Sequence, residues 1–283
     1  MAVDTRVGQL IEILSDDFGR FALYQEIPDV ALRAAPELRE LNGVHRQLAL
    51  DRTRCEWFLN QFDLRDFSLV EIGASIGYFS LSLAAERNAR AFAYEPIPSY
   101  AEACNLLAEL SGLTGKVDCF QASVGFGDLD SLRDSDLIVH LNVLHHAGID
   151  FDQEYVRDTS EWESYSLKYL EKLARKYRFL FFQTGNKSKG PALFDGETAI
   201  PFLYDLLEKA GWEVVAAGVI DDLAQQNYRA YTPESFGRVP ATACRRNEDT
   251  GLVDYYRNDQ LVASLPTGQA LRPLWYCRSR LKK

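Results

Sequence analysis

The segment from Glu71 to Gly77 holds the residue types and spacing with the clearest chemical meaning in this chain. It reads Glu-Ile-Gly-Ala-Ser-Ile-Gly after a short apolar run, which predicts a strand, a tight turn and the start of a helix. Gly73 and Gly77 allow a ligand to approach the backbone closely. The unpaired N–H groups of a new helix favour a carboxylate or a phosphate. The segment therefore predicts a cofactor site.

Polar residues also follow two other predicted strands. Glu95 ends the second strand, 22 positions after Gly73. Its carboxylate can accept hydrogen bonds from both hydroxyls of a ribose, or it can be an ordinary surface residue at a strand end. His145 and His146 follow the fourth strand, and an imidazole that titrates near neutral pH can act as a general base. A histidine at such a junction often only ties down the turn, so both roles stay open for each of them.

Alternating strands and helices must position these groups. From Ser68 onward, short apolar runs alternate with amphipathic helices, which predicts an α/β doubly wound sheet with ligands at the carboxyl ends of its first and fourth strands. The predicted strands are 68–72, 90–95, 117–121, 136–141, 178–183, 212–220 and 239–246, the last of which pairs with the one before it. The predicted helices are 77–87, 99–111, 164–177 and one that Thr198 begins and Gly211 ends.

Three regions are predicted along the chain. Residues 1–66 form an N-terminal helical cap, residues 67–247 form the sheet domain, and residues 248–283 form a tail to which no fold is assigned. The run Val7, Leu10, Ile11 and Leu14 has the spacing of one helix face, which supports the helical cap.

Composition restricts the class of protein. The 283 residues carry a net charge of −10, with 47% hydrophobic and 25% charged residues, as in an ordinary globular protein. An acidic chain is poorly suited to generic binding of nucleic acid. The five cysteines are widely spaced without a CxxC pair, which predicts neither a disulfide framework nor a thiolate zinc site. Because the chain has no secretory or membrane-spanning pattern, we expect a cytoplasmic protein that does not bind membranes.

The pattern Glu-x-Gly-x-Ser-x-Gly resembles motif I of the class I S-adenosylmethionine (SAM) dependent methyltransferases, which reads acidic-x-Gly-x-Gly-x-Gly. Ser75 stands where the family has its middle glycine. The sequence Asn-Val-Leu-His-His after the fourth strand is similar to the motif IV region of the same superfamily. The resemblance covers about residues 50 to 247. It implies a Rossmann-like, seven-stranded methyltransferase sheet and a SAM site made by Glu71, Gly73, Ser75, Gly77, Tyr78, Glu95 and Asn142.

Shorter sequence matches indicate which methyl acceptors the resemblance favours. Trp57-Phe58-Leu59, Asp63-Leu64-Arg65 and Gly77-Tyr78-Phe79-Ser80 resemble relatives of the tRNA wobble-uridine modifying enzymes and of glycan-modifying transferases. Tyr24-Gln25 is similar to a pair that precedes the core domain of some bacterial polysaccharide methyltransferases. The resemblance implies methyl transfer to an oxygen of a small-molecule or glycan-type acceptor, with His146 and His145 as candidate bases and a tRNA-modifying enzyme as the alternative.

The stretch 147–163 is longer than a usual connection, which predicts a lid over the acceptor. Its carboxylates, Asp150, Asp152 and Glu154, can bind a divalent cation or form a solvated acidic loop; we favour the loop and predict no metal. The rings of Tyr155, Trp162 and Tyr165 are open to two interpretations, as a surface that stacks on a sugar or a base and as part of the core.

A basic cluster supports the tRNA alternative. It consists of Lys168, Lys172, Arg175, Lys176, Arg178, Lys187 and Lys189. Such a cluster can bind a phosphate-bearing acceptor, although it more often forms a solvated helix face.

Two further hypotheses remain. An NAD(P)-dependent oxidoreductase would need glycine at Ser75 and Tyr78 to complete a dinucleotide fingerprint laid from Gly73. A SAM-binding protein that has lost catalysis would serve as a partner subunit. The oligomeric state is not predicted.

Overall fold

The computed structural model describes residues 5–14, 25–39, 50–185, 192–194, 198–265 and 269–282. In these ranges the helices are α1 Thr5–Leu14, α2 Asp29–Ala34, α3 Asp51–Gln61, α4 Tyr78–Arg87, α5 Pro98–Leu110, α6 Thr159–Lys176 and α7 Ala199–Lys209. The strands are β1 Ser68–Ile72, β2 Arg90–Glu95, β3 Val117–Gln121, β4 Leu137–Leu141, β5 Phe179–Gln183, β6 Trp212–Asp222, β7 Asn227–Tyr231, β8 Ala243–Arg246, β9 Val253–Arg257, β10 Gln260–Leu265 and β11 Leu274–Ser279. None of the helices in the described ranges is long and apolar enough to cross a membrane.

The fold is α/β, and the described part of the chain forms one sheet of eight strands and another of three. The order in the larger sheet is β3-β2-β1-β4-β5-β11-β6-β7, and in the smaller sheet it is β10-β9-β8. The chain divides into two compact units that interleave along the sequence. The first unit consists of residues 1–55, 63–124 and 135–139, and the second consists of residues 56–62, 125–134 and 140–283.

The first unit contains the parallel strands β1, β2 and β3. Ser68 of β1 pairs with Arg90 of β2, and Ala91 of β2 pairs with Val117 of β3. Four of the five residues of β1 are buried, as expected for a strand covered on both faces. Helix α1 packs on α5, and α2 packs on α4 and α5. The predicted N-terminal cap therefore contributes helices to this unit.

The second unit contains the antiparallel strands β5, β11, β6 and β7. Trp275 of β11 pairs with Phe182 of β5 on one side and with Ala217 of β6 on the other. The end of α3 covers these strands with aromatic rings: Phe58 stacks on Phe181 with ring centroids 4.3 Å apart. Large buried rings of this kind contribute most of the hydrophobic stabilisation of a core.

The strands predicted at 68–72, 90–95 and 117–121 are confirmed at those bounds. The larger sheet has eight strands, so the predicted number of seven is wrong. The predicted pairing of a strand at 239–246 with β6 is also wrong, because β8 pairs with β9 and the neighbours of β6 are β11 and β7. The pairing of β11 with β6 joins residues far apart in sequence, which periodicity cannot reveal.

The C-terminal residues 248–283, predicted as a tail, supply β9, β10 and β11. Strand β11 lies in the larger sheet, and the boundary predicted after residue 247 falls between the paired strands β8 and β9. The apolar sequence of β11, Leu-Trp-Tyr-Cys, explains this position, because four of its six residues are buried. Composition averaged over the whole tail concealed this short buried strand.

Candidate functional site

The turn after β1 has an unusual backbone. The φ angles are 71° at Gly73, 51° at Ser75 and 82° at Gly77, so every second residue adopts the left-handed conformation. Glycine adopts this conformation without steric cost, whereas a serine in it is strained. Ser75 therefore has the backbone conformation of a glycine, at the position where it departs from the motif.

Packing fixes the end of the same turn. A Cβ atom added to Gly77 would overlap the Sγ atom of Cys104, a fully buried residue of α5. Helix α4 begins at the next residue, and the N–H of Tyr78 donates to Oε1 of Gln25 at 3.3 Å. Gln25, itself buried, thus satisfies a donor at the start of this helix. Tyr24, the other member of the predicted pair, lies outside the described residues.

Glu95 connects the end of β2 to this turn. Its Oε2 accepts a hydrogen bond from the N–H of Ser75 at 2.7 Å, and its Oε1 accepts one from the N–H of Ile97 at 2.9 Å. The side chain is 4% exposed, and burial raises the pKa of its carboxyl group. Each oxygen has further lone pairs, so the carboxylate can accept more hydrogen bonds in this orientation.

Ser75 leaves one polar atom without a partner. Its Oγ is buried and makes no hydrogen bond within the described part of the chain. A buried hydroxyl group without a partner destabilises the fold by about 1–3 kcal/mol. Ser75 thus combines a strained backbone with an unsatisfied hydroxyl group, and such local costs are typical of functional sites.

Glu71 is held inside the protein. Its Oε2 accepts hydrogen bonds from the backbone N–H of Ser80 at 2.9 Å and from the hydroxyl of Ser80 at 2.5 Å. Burial raises the pKa of Glu71 to about 8, and the bonds from Ser80 partly oppose this shift. These hydrogen bonds connect Glu71 of β1 to the first turn of α4.

In the second unit, Asn142 is the centre of a buried hydrogen-bond network. It follows β4 with a left-handed φ of 57°, and its Nδ2 donates to Oε1 of Gln183 at 3.0 Å. Its Oδ1 accepts from Nη1 of Arg272 at 2.9 Å. The side chain of Gln183 in turn donates to the carbonyl oxygen of Arg272 at 2.8 Å. The network fixes the end of β4 relative to β5 and to a residue near the C-terminus.

His145 is buried beside Gly185. Its Nδ1 accepts a hydrogen bond from the N–H of Gly185 at 3.1 Å, which places the ring proton on Nε2. Burial lowers the pKa of His145 to about 2. A Cβ atom at Gly185 would lie 2.7 Å from Cδ2 of His145, so the contact requires glycine. With its only lone pair engaged, this imidazole is poorly suited to accept a proton.

His146 has the opposite environment. Its side chain is 44% exposed, and its Nδ1 lies 2.7 Å from Oδ2 of Asp150, four residues later. A carboxylate acceptor places the proton on Nδ1 and leaves the lone pair on Nε2 available, which is the arrangement that a general base requires. His140 is buried in β4, and burial lowers its pKa to about 4.

The acidic loop has internal partners. Asp150 binds His146, and Asp152 accepts a hydrogen bond from the N–H of Phe126 at 2.7 Å. In the described parts of the chain, no three His, Cys, Asp or Glu side chains are grouped so that they could hold a metal ion. Helix α6 begins at Thr159, earlier than the predicted 164, because Asp158 caps it by accepting from the N–H of Ser160 at 2.8 Å. Trp162 is fully buried and donates to the carbonyl of Leu144, so it belongs to the core.

Several cations of the predicted basic cluster have intramolecular partners. Lys172 forms an ion pair with Asp130 at 2.9 Å, and Arg175 forms one with Glu171 at 2.6 Å. Lys176 donates to the carbonyl oxygens of Asp130 and Leu132. Lys187 and Lys189 lie outside the described residues. Lys172 and Lys176 therefore hold segment 125–134 in place.

The predicted site residues fall into two groups. The first unit brings together Glu71, Gly73, Ser75, Gly77, Tyr78 and Glu95, and the second contains Asn142, His145 and His146. Sequence reasoning missed the pairing of Asp150 with His146, although the His-x-x-x-Asp spacing was available as a signal. It also missed Arg272, which no local pattern connects to Asn142.

No known family model and no curated protein matches the chain by sequence. Solved structures of similar fold include the bifunctional kinase-methyltransferase WbdD, at 20% identity over 64% of this chain and 35% of that one, with a TM-score of 0.41. A precorrin-6y C5,15-methyltransferase from Geobacter metallireducens matches at 14% identity over 81% of this chain and 86% of that one, with a TM-score of 0.42. A putative RNA methyltransferase from Pyrococcus horikoshii matches at 11% identity over 81% and 82% of the two chains, with a TM-score of 0.42.

All three of these proteins are named as methyltransferases. In another WbdD structure, the monomeric form, this chain spans 57% of the length. At such identities and TM-scores the likeness concerns the fold alone and transfers neither an activity nor a substrate to this chain.

Proposed function

We propose that this chain is a SAM-dependent methyltransferase that transfers a methyl group to an oxygen of a small-molecule or glycan-type acceptor. The observation that carries the proposal is the turn after β1. It combines left-handed backbone at Gly73, Ser75 and Gly77 with the carboxylate of Glu95, which is held on the N–H of Ser75. The unpartnered hydroxyl of Ser75 fits a site that is completed by a polar ligand.

The proposed roles follow from these contacts. Glu95 accepts hydrogen bonds from the ribose hydroxyls with the lone pairs that Ser75 and Ile97 leave available. The hydroxyl of Ser75 forms a hydrogen bond with the cofactor at the turn, as donor or as acceptor. Glu71 keeps the start of α4 in place rather than facing the ligand. SAM supplies an electrophilic methyl group carried on a sulfonium.

His146 is the proposed base. An oxygen acceptor loses a proton during methylation, and Nε2 of His146 can accept it while Asp150 orients the ring through Nδ1. His145 holds the loop through Gly185 instead. Of the two candidate bases, the environment therefore favours His146.

Three observations disfavour the alternative functions. Partners within the chain engage Lys172 and Arg175, which weakens the case for tRNA as the acceptor. An NAD(P)-dependent oxidoreductase is disfavoured by Tyr78, which is buried where the dinucleotide pattern has its third glycine. It is also disfavoured by the antiparallel β11 between β5 and β6, since a dinucleotide-binding sheet places its fifth and sixth strands side by side.

Calorimetric titration with SAM, S-adenosylhomocysteine and NADH tests the cofactor. We expect both adenosyl ligands to bind, and Glu95→Gln to weaken them by about 1.5–3 kcal/mol, the value of hydrogen bonds to a charged group. Glu109→Gln, at an exposed position of α5, is the matched control and should leave the affinity unchanged. If NADH binds and SAM does not, the methyltransferase proposal is wrong and the oxidoreductase hypothesis takes its place.

The proposed base is tested with labelled SAM and a panel of hydroxylated acceptors. His146→Ala should lower kcat by about 10²–10⁴-fold, the usual contribution of a general base, and leave SAM affinity unchanged. Asp150→Asn should lower kcat less and alter its pH profile, because it acts only through the ring of His146. An unchanged kcat in His146→Ala would remove this residue from the mechanism.

A further inference from the structure

A cavity of about 430 Å³ lies beside α6 in the second unit, within the usual size range of small-ligand sites. One face of the helix forms its wall, because Ser160, Ser164 and Lys168 are spaced four residues apart and Glu161 and Tyr165 each follow one of them. The rings of Phe126 and Tyr155 complete the lining.

Three aromatic rings form its apolar part. The ring centroids of Phe126 and Tyr155 are 5.5 Å apart, those of Phe126 and Tyr165 are 6.1 Å apart, and those of Tyr155 and Tyr165 are 6.3 Å apart. The Tyr155 ring is 47% exposed, although it belongs to this cluster. An exposed ring in a concave site offers a flat apolar surface to a ligand.

The surrounding residues hold two of these rings, those of Phe126 and Tyr165, in place. Asp152 accepts hydrogen bonds from the N–H of Phe126 and from the hydroxyl of Tyr165, so one carboxylate fixes two walls of the cavity. Nζ of Lys172 lies 4.7 Å from the centre of the Phe126 ring and donates to the carbonyl oxygen of Phe126 at 3.2 Å. Gly125 is needed for the approach of Asp152, because a Cβ atom there would lie 2.5 Å from Oδ1 of Asp152. Rings fixed in advance lose little entropy when a ligand binds.

The polar lining offers both donors and acceptors. Lys168 supplies an ammonium group, Glu161 a carboxylate and Ser164 a hydroxyl. Oε2 of Glu161 accepts a hydrogen bond from the N–H of Arg157 at 2.7 Å, which keeps the carboxylate at the rim. One positive and one negative group balance each other, so the cavity selects neither an anion nor a cation. Its ligand should be uncharged and rich in hydroxyl groups.

We infer that this cavity binds a neutral pyranose ring. The apolar face of the sugar stacks on Tyr155, and its hydroxyl groups bond to Lys168, Glu161 and Ser164. Sugar binding in the cavity does not depend on the proposed function. Only the further statement that this sugar is part of the methyl acceptor rests on it. It narrows the acceptor class from small molecules in general to glycans and glycosides.

Ligand-observed NMR on the full chain tests the inference. The probes are the neutral methyl glycosides of glucose, galactose and mannose, with glucose 1-phosphate as an anionic probe and tetramethylammonium as a cationic one. We expect at least one neutral glycoside to bind and to be preferred over both ions. Tyr155→Ala should weaken its binding roughly tenfold, whereas Tyr155→Phe should retain it, because the stacking face is preserved. Lys168→Met should weaken it severalfold through the loss of a donor.

Tyr256→Ala is the matched control. Tyr256 lies in β9 of the smaller sheet, 5.5 Å from the guanidinium of Arg245, and is not part of the cavity. The inference is overturned if no neutral glycoside binds, if either ion is preferred, or if Tyr155→Ala and Tyr256→Ala have equal effects. Parallel SAM titration separates the two proposals: loss of sugar binding with SAM binding intact rejects only the cavity, and sugar binding without SAM binding rejects only the methyltransferase.

Discussion

The turn after β1 and the segment after β4 are built in different ways. In the turn, Glu95 bonds to Ser75 across 20 residues and Glu71 bonds to Ser80 across 9 residues. After β4, Asn142 bonds to Arg272 across 130 residues. His145 and Asn142 also bond to the end of β5 and the residues after it, about 40 residues away. The contacts of these two carboxylates thus span at most 20 residues, whereas those of Asn142 and His145 span 40 or more.

The two regions also bury opposite kinds of titratable group. In the turn region, burial raises the pKa of the acid Glu71 to about 8. After β4, burial lowers the pKa of the base His145 to about 2. Both groups are therefore kept neutral by the fold near neutral pH, since burial disfavours the charged form of either. The turn after β1 and the network after β4 thus both keep a buried titratable group neutral.

Glycine substitutions in the two regions should give the largest effects. Gly77→Ala combines a left-handed φ with overlap on Cys104, so we expect the free energy of unfolding to fall by about 2–4 kcal/mol. Gly185→Ala only crowds His145 and should cost about 1–3 kcal/mol. Gly115→Ala, with a φ of 79° and no atom within 4 Å of its Cβ, isolates the backbone cost of about 1–2 kcal/mol. Chemical denaturation measures all three.

Cys104→Ala in the Gly77→Ala background is the decisive companion variant. Removing the sulfur leaves ordinary contacts with the Cβ of Cys104 at 3.4 Å and Cδ1 of Leu81 at 3.6 Å, and should recover part of the lost stability. Equal losses in Gly77→Ala and Gly115→Ala would contradict the proposed role of packing in the turn.

The two buried groups should make the free energy of unfolding depend on pH in opposite directions. The folded state favours protonated Glu71. Its contribution to the free energy of unfolding is therefore complete below the ordinary pKa of 4.5 and is lost as pH rises towards 8. His145 stays neutral, so its contribution is complete above 6.5 and is lost as pH falls towards 2. Each slope is at most about 1.4 kcal/mol per pH unit.

Denaturation of variants across this pH range separates the two slopes. Glu71→Gln keeps an acceptor for Ser80 and should flatten only the decline above pH 4.5. His145→Asn keeps an acceptor for Gly185 and should flatten only the decline below pH 6.5. If both variants keep the pH profile of the unmodified chain, burial does not control these groups.

The smallest effect is expected at Ser75. Ser75→Gly relieves the left-handed strain and removes the unpartnered hydroxyl, so the free energy of unfolding should rise by up to about 1 kcal/mol, because the added chain entropy of glycine offsets part of the gain. SAM affinity should fall in the same variant if the hydroxyl binds the cofactor. Unchanged affinity with higher stability would show that Ser75 has no part in binding, and would leave only Glu95 as the polar contact of the turn.

The sequence alone predicts the order of strands and helices up to β3 and the turn after β1. Alternating apolar runs located β1, β2 and β3 to the residue. The spacing of Gly73 and Gly77 identified a turn in which both residues are left-handed. These features depend on neighbours along the chain, since sterics at a single residue and periodic burial act over short distances.

The folded structure, by contrast, determines the positions of the C-terminal residues and the different environments of the two histidines. It placed β11 next to β5, assigned Trp162 to the core, and gave Asn142 its partner Arg272. It also separated His145, whose lone pair is engaged, from His146, which Asp150 orients. The sequence presents these histidines as equal neighbours, and their difference arises because burial and hydrogen-bond partners come from segments that meet only in the folded chain.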